Sequence, residues 1–254
     1  MTPTGSDRGS GLRRLVEQSL KFVLDRTLIR LLRYIDSRLH PHGEPYDEVV
    51  TLVKQRAAAT SVDYIETHLD RAMLFATREQ VWDYAVSKTR VDGLFAEFGV
   101  FTGGSINHLA RSLKDRKITL YGFDSFQGLK EDWRGTWHAA GHFDLGGKPP
   151  EVAPNVTLIK GWFDDTLPAF LDSHSNEPFS FIHFDADTFE ATSTVLSLLK
   201  DRIVKGTVIV FDEYLGFPNW QKGEFLAWRN FVEAESLDYC YLAFSNTPAA
   251  LMVL

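Results

Sequence analysis

At 254 residues, 44% hydrophobic and 24% charged, the chain has the balance of an ordinary globular protein, long enough for one α/β domain with appendages. A net charge of −7 argues against a nucleic-acid partner, which needs clustered Lys and Arg, and the single Cys240 excludes an internal disulfide. The polar start and the lack of any run of about 18 apolar residues argue against a leader or a membrane span, so a cytoplasmic protein is expected.

Apolar residues between Leu12 and Leu39 follow the period of one or two amphipathic helices. Residues 1–40 hold eight Lys/Arg against four Asp/Glu, a local +4 in a chain that totals −7. The expected role of this segment is to cover the active site or to form a homo-oligomer contact, in preference to docking on an anionic membrane. Pro41 to Pro45 breaks the pattern, and a further helix is expected from Tyr46 to about Ala59. Residues 1–60 are therefore read as a helical appendage and 61–254 as the main domain.

Thr77-Arg78-Glu79-Gln80 has the form of a capping box that opens a helix through Ser87. From Leu94 onward strands and helices alternate. The runs Leu94–Phe98, Ile118–Phe123, Val156–Ile159, Phe179–Phe184 and Val208–Phe211 are continuously apolar, as parallel strands buried on both faces are. Helices are expected at Ser105–Lys114, Leu167–Ser173, Thr188–Leu199 and about Gly223–Ala234. Tyr239–Phe244 and Ala250–Leu254, joined by Asn246-Thr247-Pro248, must pair antiparallel because the turn is too short for a crossover.

The chemistry concentrates at strand ends. Glu97-Phe98-Gly99-Val100-Phe101-Thr102-Gly103-Gly104-Ser105 turns from a strand into a helix through glycines, which presents backbone N–H groups and a positive helix end at one point. Twenty residues past Gly104, Asp124 ends the next strand, placed to take the two hydroxyls of a ribose. Asp185, Asp212 and Glu213 end two strands that should be neighbours, and three converging carboxylates call for a cation. Hard oxygen donors point to Mg²⁺, with Mn²⁺ or Ca²⁺ as alternatives. Asp187-Thr188-Phe189-Glu190 reads as a cap, which assigns Asp187 to starting the next helix. The long connection Ser125 to Asn155 reads as a lid that carries Trp133, Arg134, Trp137, His138, His142 and Lys148. His142 is the candidate base, with a plain surface histidine as the alternative. Trp162 and Phe163 either sandwich a flat base or belong to the core, and His183, inside a strand, reads as a hydrogen-bonded core residue. Gly-x-Ser-x-Gly and phosphate-loop motifs are absent, which removes the main parts of hydrolase and kinase readings.

Together, Glu97–Ser105, Tyr121–Leu129, Gly161–Pro168, Phe184–Thr192 and Val208–Tyr214 resemble the macrocin O-methyltransferase (TylF-like) family over roughly residues 60–254. The resemblance implies a Rossmann-like class I methyltransferase fold, α/β, with a mostly parallel seven-stranded sheet and a C-terminal antiparallel hairpin. It implies an S-adenosyl-L-methionine- and Mg²⁺-dependent O-methyltransferase that acts on a sugar hydroxyl of a glycoside, oligosaccharide or glycosylated metabolite. By the same comparison Glu97, Gly99, Gly103, Gly104 and Ser105 line the methionine end of the cofactor. Asp124 and Ser125 hold its ribose, and Trp162 and Phe163 flank its adenine. Asp185 joins the metal and receives the hydroxyl proton. The family usually has Asp-Gly-Asp where this chain has Asp185-Ala186-Asp187, and Asp-Asp where it has Asp212-Glu213. The rival readings are methylation of a catechol-type phenol and a nucleotide-binding protein without transferase activity.

Overall fold

A computed structural model describes residues 47–89 and 92–254. The basic helices expected between Leu12 and Leu39, and the oligomer contact assigned to them, lie outside the described residues. The first described helix, α1 (Asp47–His68), runs well past the end expected near Ala59, so the boundary drawn at residue 60 falls inside a helix. Its carboxyl-terminal half is tied down by three polar contacts. Gly216 N–H donates to Ser61 Oγ at 2.8 Å, Trp220 Nε1 donates to Thr60 Oγ1 at 3.1 Å, and the Tyr64 and Tyr241 hydroxyls meet at 2.7 Å.

α2 (Arg78–Lys88) starts where the capping box placed it. The Thr77 hydroxyl accepts from Gln80 N–H, and the Gln80 side chain accepts in return from the Thr77 N–H. Beyond it come β2 (Leu94–Phe98), α3 (Gly104–Leu113), β3 (Leu120–Asp124), β4 (Val156–Lys160), α4 (Phe163–Ser173), β5 (Phe179–Phe184) and α5 (Phe189–Leu199). The chain continues through β6 (Val208–Phe211), α6 (Glu224–Glu235), β7 (Tyr239–Phe244) and β8 (Ala249–Val253). A two-residue strand, β1 (Met73–Leu74), adds an edge to the seven strands expected, and the sheet runs β1-β7-β8-β6-β5-β2-β3-β4. β8 is antiparallel to both β6 and β7, and the remaining pairs are parallel.

β2, β5 and β6 are buried along their whole length, which accounts for their unbroken apolar sequences. Alternate residues separate two core layers. Ala96, Phe98, Ile182, Phe184, Ile209 and Phe211 face the layer of Leu167, Val195 and Trp228. Phe95, Phe181, Val208 and Val210 face the layer of Val81, Trp82, Ile106 and Leu109. The chain leaves β2 towards β3 on one side and returns through β5 on the other, which opens a crevice at the carboxyl ends of β2 and β5.

Gly99 follows β2 at φ +93°, and a Cβ there would lie 1.8 Å from the backbone oxygen of Asp185. Gly104 is the reverse case, since a Cβ there would meet nothing within 4 Å. Gly99→Ala should therefore lower stability by at least about 2 kcal/mol from backbone strain and collision. Gly104→Ala should instead be neutral or raise it by up to about 1 kcal/mol. Urea unfolding of the two variants checks this pair, and equal losses in both would contradict the packing at Gly99.

Candidate active site

At the crevice the strand-end acids separate into two groups with opposite environments. One group is buried and neutralised. Glu97 on β2 stands directly across from His183 on β5 in the sheet register, and both side chains are fully buried. His183 Nδ1 bonds Glu97 Oε2 at 2.9 Å, while Ser105 Oγ, in the first turn of α3, donates to Glu97 Oε1 at 2.9 Å. On the other side of the ring, Asp212 Oδ1 lies 3.6 Å from Nε2, an ion-pair distance longer than a hydrogen bond. Burial alone would push the imidazole down, but Asp212 and Glu97 outweigh it and raise the pKa to about 10, so His183 is a buried cation.

Asp212 is engaged on its remaining sides as well. Trp82 Nε1 donates to its Oδ1 at 3.1 Å, and Arg78 donates to its Oδ2 at 2.7 Å. Although burial raises it, His183, Arg78 and Trp82 together hold this carboxyl below the usual range. Asp212, which the sequence placed in the metal set, is thus already engaged by Trp82, Arg78 and His183. It shares the strand face of Val208 and Val210 and closes an ion-pair chain with α2.

The second group is not neutralised in this way. Asp185, Asp187 and Glu213 each present one carboxylate oxygen, and these three atoms lie within 4.8 Å of one another. Asp187 replaces Asp212 there, and it is not the helix cap. Thr188 is the cap, accepting from Ala191 N–H at 3.2 Å, and Asp187 precedes it with φ +64°. Burial, then the neighbouring carboxylates, push Asp185 up to about 7 and push Asp187 and Glu213 well above their ordinary values. Glu213 Oε2 is buried and lacks a hydrogen-bond partner among the described residues. Two oxygens on opposite sides of a hard cation stand roughly 4.2–4.8 Å apart, so the triad fits one such ion with little movement. Glu224, at the start of α6, is fully buried behind the triad, and burial pushes it up to about 8.

Asp185 and Glu213 open onto a cavity of about 590 Å³, within the range of small-molecule sites. Its lining includes Gly99, Asp124, Ser125, Trp162 and Phe163, together with Trp133, His138 and Phe143 of the lid. The Asp124 carboxylate accepts from Val100 N–H at 2.8 Å, Phe101 N–H at 2.9 Å and Phe126 N–H at 2.7 Å. Two of its roughly four acceptor sites thus hold the backbone turn after β2 and a third holds the chain just past β3, so the carboxylate organises both turns before it meets a ligand. Phe163 is packed edge-on against Phe98 at 5.6 Å, and Lys130 sits 5.3 Å from the Trp162 ring centre. These two aromatics therefore do not form a free-standing pair.

Residues 125–155 contain turns and two isolated bridges, without a helix or a named strand. Its aromatics cluster over the cavity, with His138 stacked on Trp133 at 5.1 Å and His142 behind it at 4.4 Å. His138 lines the cavity and His142 does not, because the loop presents the former and packs the latter against Trp137 and Phe143. Burial, then His142, holds His138 below its ordinary range and keeps it a neutral ring at pH 7. A second cavity of about 520 Å³ adjoins the first and shares Arg78, Val100, Phe101 and Asp185 with it. Gly104 and Ser105 line this second space, whereas Glu97 is enclosed beneath them and reaches it only through Ser105. Gly103, at φ +84°, forms the turn before α3.

Residues 96–214 match the family described as a methyltransferase domain. Demethyldecarbamoylnovobiocin O-methyltransferase of Streptomyces niveus is 28% identical over 149 residues, 50% of this chain and 55% of that protein. The chain thus spans about half the length of this curated relative. The crystal structure of CalS11, calicheamicin methyltransferase, superposes with a TM-score of 0.57 at 22% identity, covering 83% of this chain and 94% of that one. The apo structure of CalS11, a TDP-rhamnose 3'-O-methyltransferase, gives a TM-score of 0.51 at 22% identity, over 83% of this chain and 96% of that one. The O-methyltransferase NovP gives 0.51 at 19% identity, over 68% of this chain and 76% of that one. These structures share the Rossmann-like α/β fold of this chain, and residues 96–214 are similar to a methyltransferase domain.

Proposed function

We propose that the protein is an S-adenosylmethionine- and Mg²⁺-dependent O-methyltransferase of the macrocin (TylF-like) kind, acting on a hydroxyl of a sugar-bearing small molecule. The observation that carries this reading is the un-neutralised triad Asp185, Asp187 and Glu213 at the mouth of a cavity that adjoins the glycine turn. The sugar assignment rests on the likeness to CalS11, a TDP-rhamnose 3'-O-methyltransferase, and on the aromatic lid residues Trp133, His138 and Phe143, which suit the face of a sugar ring.

S-adenosylmethionine supplies an activated methyl group, and a cation at the triad supplies polarisation that makes a hydroxyl easier to deprotonate. The chain's residues perform the rest. The turn Gly99 to Ser105, the Asp124–Ser125 corner and Trp162 would hold the cofactor. Asp185, which lines both cavities, receives the hydroxyl proton, and His138 positions the acceptor from above. The lid and the apolar wall exclude water from the reacting atoms.

Chelation with EDTA should abolish turnover and Mg²⁺ should restore it. Asp187→Asn should lose both turnover and Mn²⁺ binding while still binding S-adenosylhomocysteine. Asp212→Asn should keep Mn²⁺ binding and lose stability instead, on the order of 2–4 kcal/mol, because it strands His183 and Arg78. The reverse pattern in a Mn²⁺ titration would return Asp212 to the metal set.

The pH dependence has a definite sign. Asp185 rises from 3.8 to about 7 and Glu224 from 4.5 to about 8, so the folded state keeps protons that the unfolded chain releases. Metal-free stability should therefore fall as pH climbs from about 4 to 8. Because a cation competes with those protons, the rise in Tm on adding Mg²⁺ should be larger at pH 8 than at pH 5. Scanning calorimetry at both values checks this, and equal shifts would count against the triad as the cation site.

His138→Ala should lower kcat by about 10²-fold or more, as loss of an acid–base or positioning group does. His142→Ala should stay within a few-fold of the parent in the same steady-state assay, and a larger effect at His142 would restore it as the base.

A further inference from the structure

We propose that Glu224 is a positioning residue that sets the spacing between the two acid-bearing loops, and through that spacing the affinity for the divalent cation, without touching the ion. The proposal rests on the metal reading above. Glu224 is the first residue of α6, and its side chain is fully buried. Its Oε1 accepts from the N–H of Ala186 at 3.3 Å, and its Oε2 accepts from the N–H of Glu213 at 3.1 Å. Ala186 lies between Asp185 and Asp187, on the loop after β5, while Glu213 belongs to the loop after β6. One rigid carboxyl group thus spans both loops and grips each by its backbone.

A helix start favours an acid, but an exposed one would serve the macrodipole equally well. Burying a carboxyl among three others is unfavourable unless its lone pairs have work to do. Here each oxygen accepts one amide N–H, and Glu224 stands outside the triad of Asp185, Asp187 and Glu213. α6 begins close against the same loop, since a Cβ on Gly223 would meet the backbone oxygen of Asp187 at 3.7 Å. The chemistry of the side chain is specific to the task. Glutamine has one acceptor oxygen and would turn an NH₂ towards the second amide, while aspartate keeps two acceptors but withdraws them by one methylene.

The test is Mn²⁺ binding to the full chain, followed by electron paramagnetic resonance, for the parent, Glu224→Gln and Glu224→Asp. S-adenosylhomocysteine binding, measured by calorimetry, serves as the second readout. Both variants should bind Mn²⁺ about tenfold or more weakly, the range seen when groups that orient metal ligands are changed. Their S-adenosylhomocysteine affinity should stay within twofold. Parent-like Mn²⁺ affinity in either variant overturns the proposal, and so does an equal loss of both affinities, which would mark Glu224 as a general structural support. A parent that binds no Mn²⁺ overturns the metal reading itself, an outcome distinct from either of these. If a variant fails to fold, amide hydrogen exchange on the parent decides. Slow exchange at both Ala186 and Glu213 supports the clamp, and fast exchange at either one overturns it.

Discussion

The carboxyl ends of β2 and β5 approach so closely that only a glycine fits between them. Gly99 donates its N–H to the Phe123 oxygen, Asp185 donates to the Phe98 oxygen, and any Cβ at 99 would strike the Asp185 carbonyl. Pairing between neighbouring strands therefore continues one step beyond their last residues, and it fixes Asp185 beside the glycine turn. The proposed cofactor end and the proposed cation end of the site are thereby held one peptide apart. Asp124 reinforces this from β3 by accepting the N–H groups of Val100 and Phe101, so the turn is fastened from both flanks. This is preorganisation through backbone contact, and it does not depend on the lid.

The same strand ends also sort charge by the simple alternation of a β-strand. On β6, Val208 and Val210 face α2 and α3, so Asp212, two residues on, faces that way and meets Trp82, Arg78 and the buried His183 cation. Glu213 takes the opposite side and joins Asp185 and Asp187. Adjacent acids in one dipeptide thus have different fates. One is neutralised within a network that ties α2 to the sheet, and the other is left facing like charges. A buried ionic chain such as Glu97–His183–Asp212–Arg78 adds little net stability over an apolar packing, but breaking it leaves an uncompensated charge. The triad, by contrast, is unfavourable in the folded chain until a cation or protons arrive, which is the mark of a site and not of a support.

Much of this was legible beforehand where local physics dominates. β2, β5 and β6 begin and end where their apolar runs do, because a strand buried on both faces admits little else, and the Thr77 box sets the start of α2 to the residue. The proposed cation triad was half legible. Asp185 and Glu213 followed from strand ends, and period-two reasoning along Val208, Val210 and Asp212 would have moved Asp212 to the other face. Asp187 was hidden by its neighbour. Asp187-Thr188-Phe189-Glu190 fits a cap at either of its first two residues, and only the left-handed backbone of Asp187 reveals that Thr188 takes the role. Glu224 gave no signal, since an acid at a helix start is ordinary and its partners are backbone amides remote in sequence. Which of His138 and His142 lines the cavity was likewise beyond sequence, because no period relates residues in a loop without regular structure.

The lid is not independent of the centre it covers. Phe143 packs against Phe101 of the glycine turn at 5.1 Å, and Lys130 reaches Asp164 at the start of α4 at 3.1 Å. Thr188, the cap of α5, donates its hydroxyl to Glu131 of the lid while accepting from Ala191. Thr188 is also the residue after Asp187, so the lid is fastened at one point to the turn proposed to hold the cofactor and at another to the loop proposed to hold the cation. Where the lid sits therefore constrains both halves of the centre, and a change in the acceptor that displaces it acts on the acid loop through a single peptide unit. Under the proposed reading, acceptor selectivity would then come from contacts to the aromatic wall and equally from whether the lid can rest in the position that leaves Asp187 beside Asp185 and Glu213.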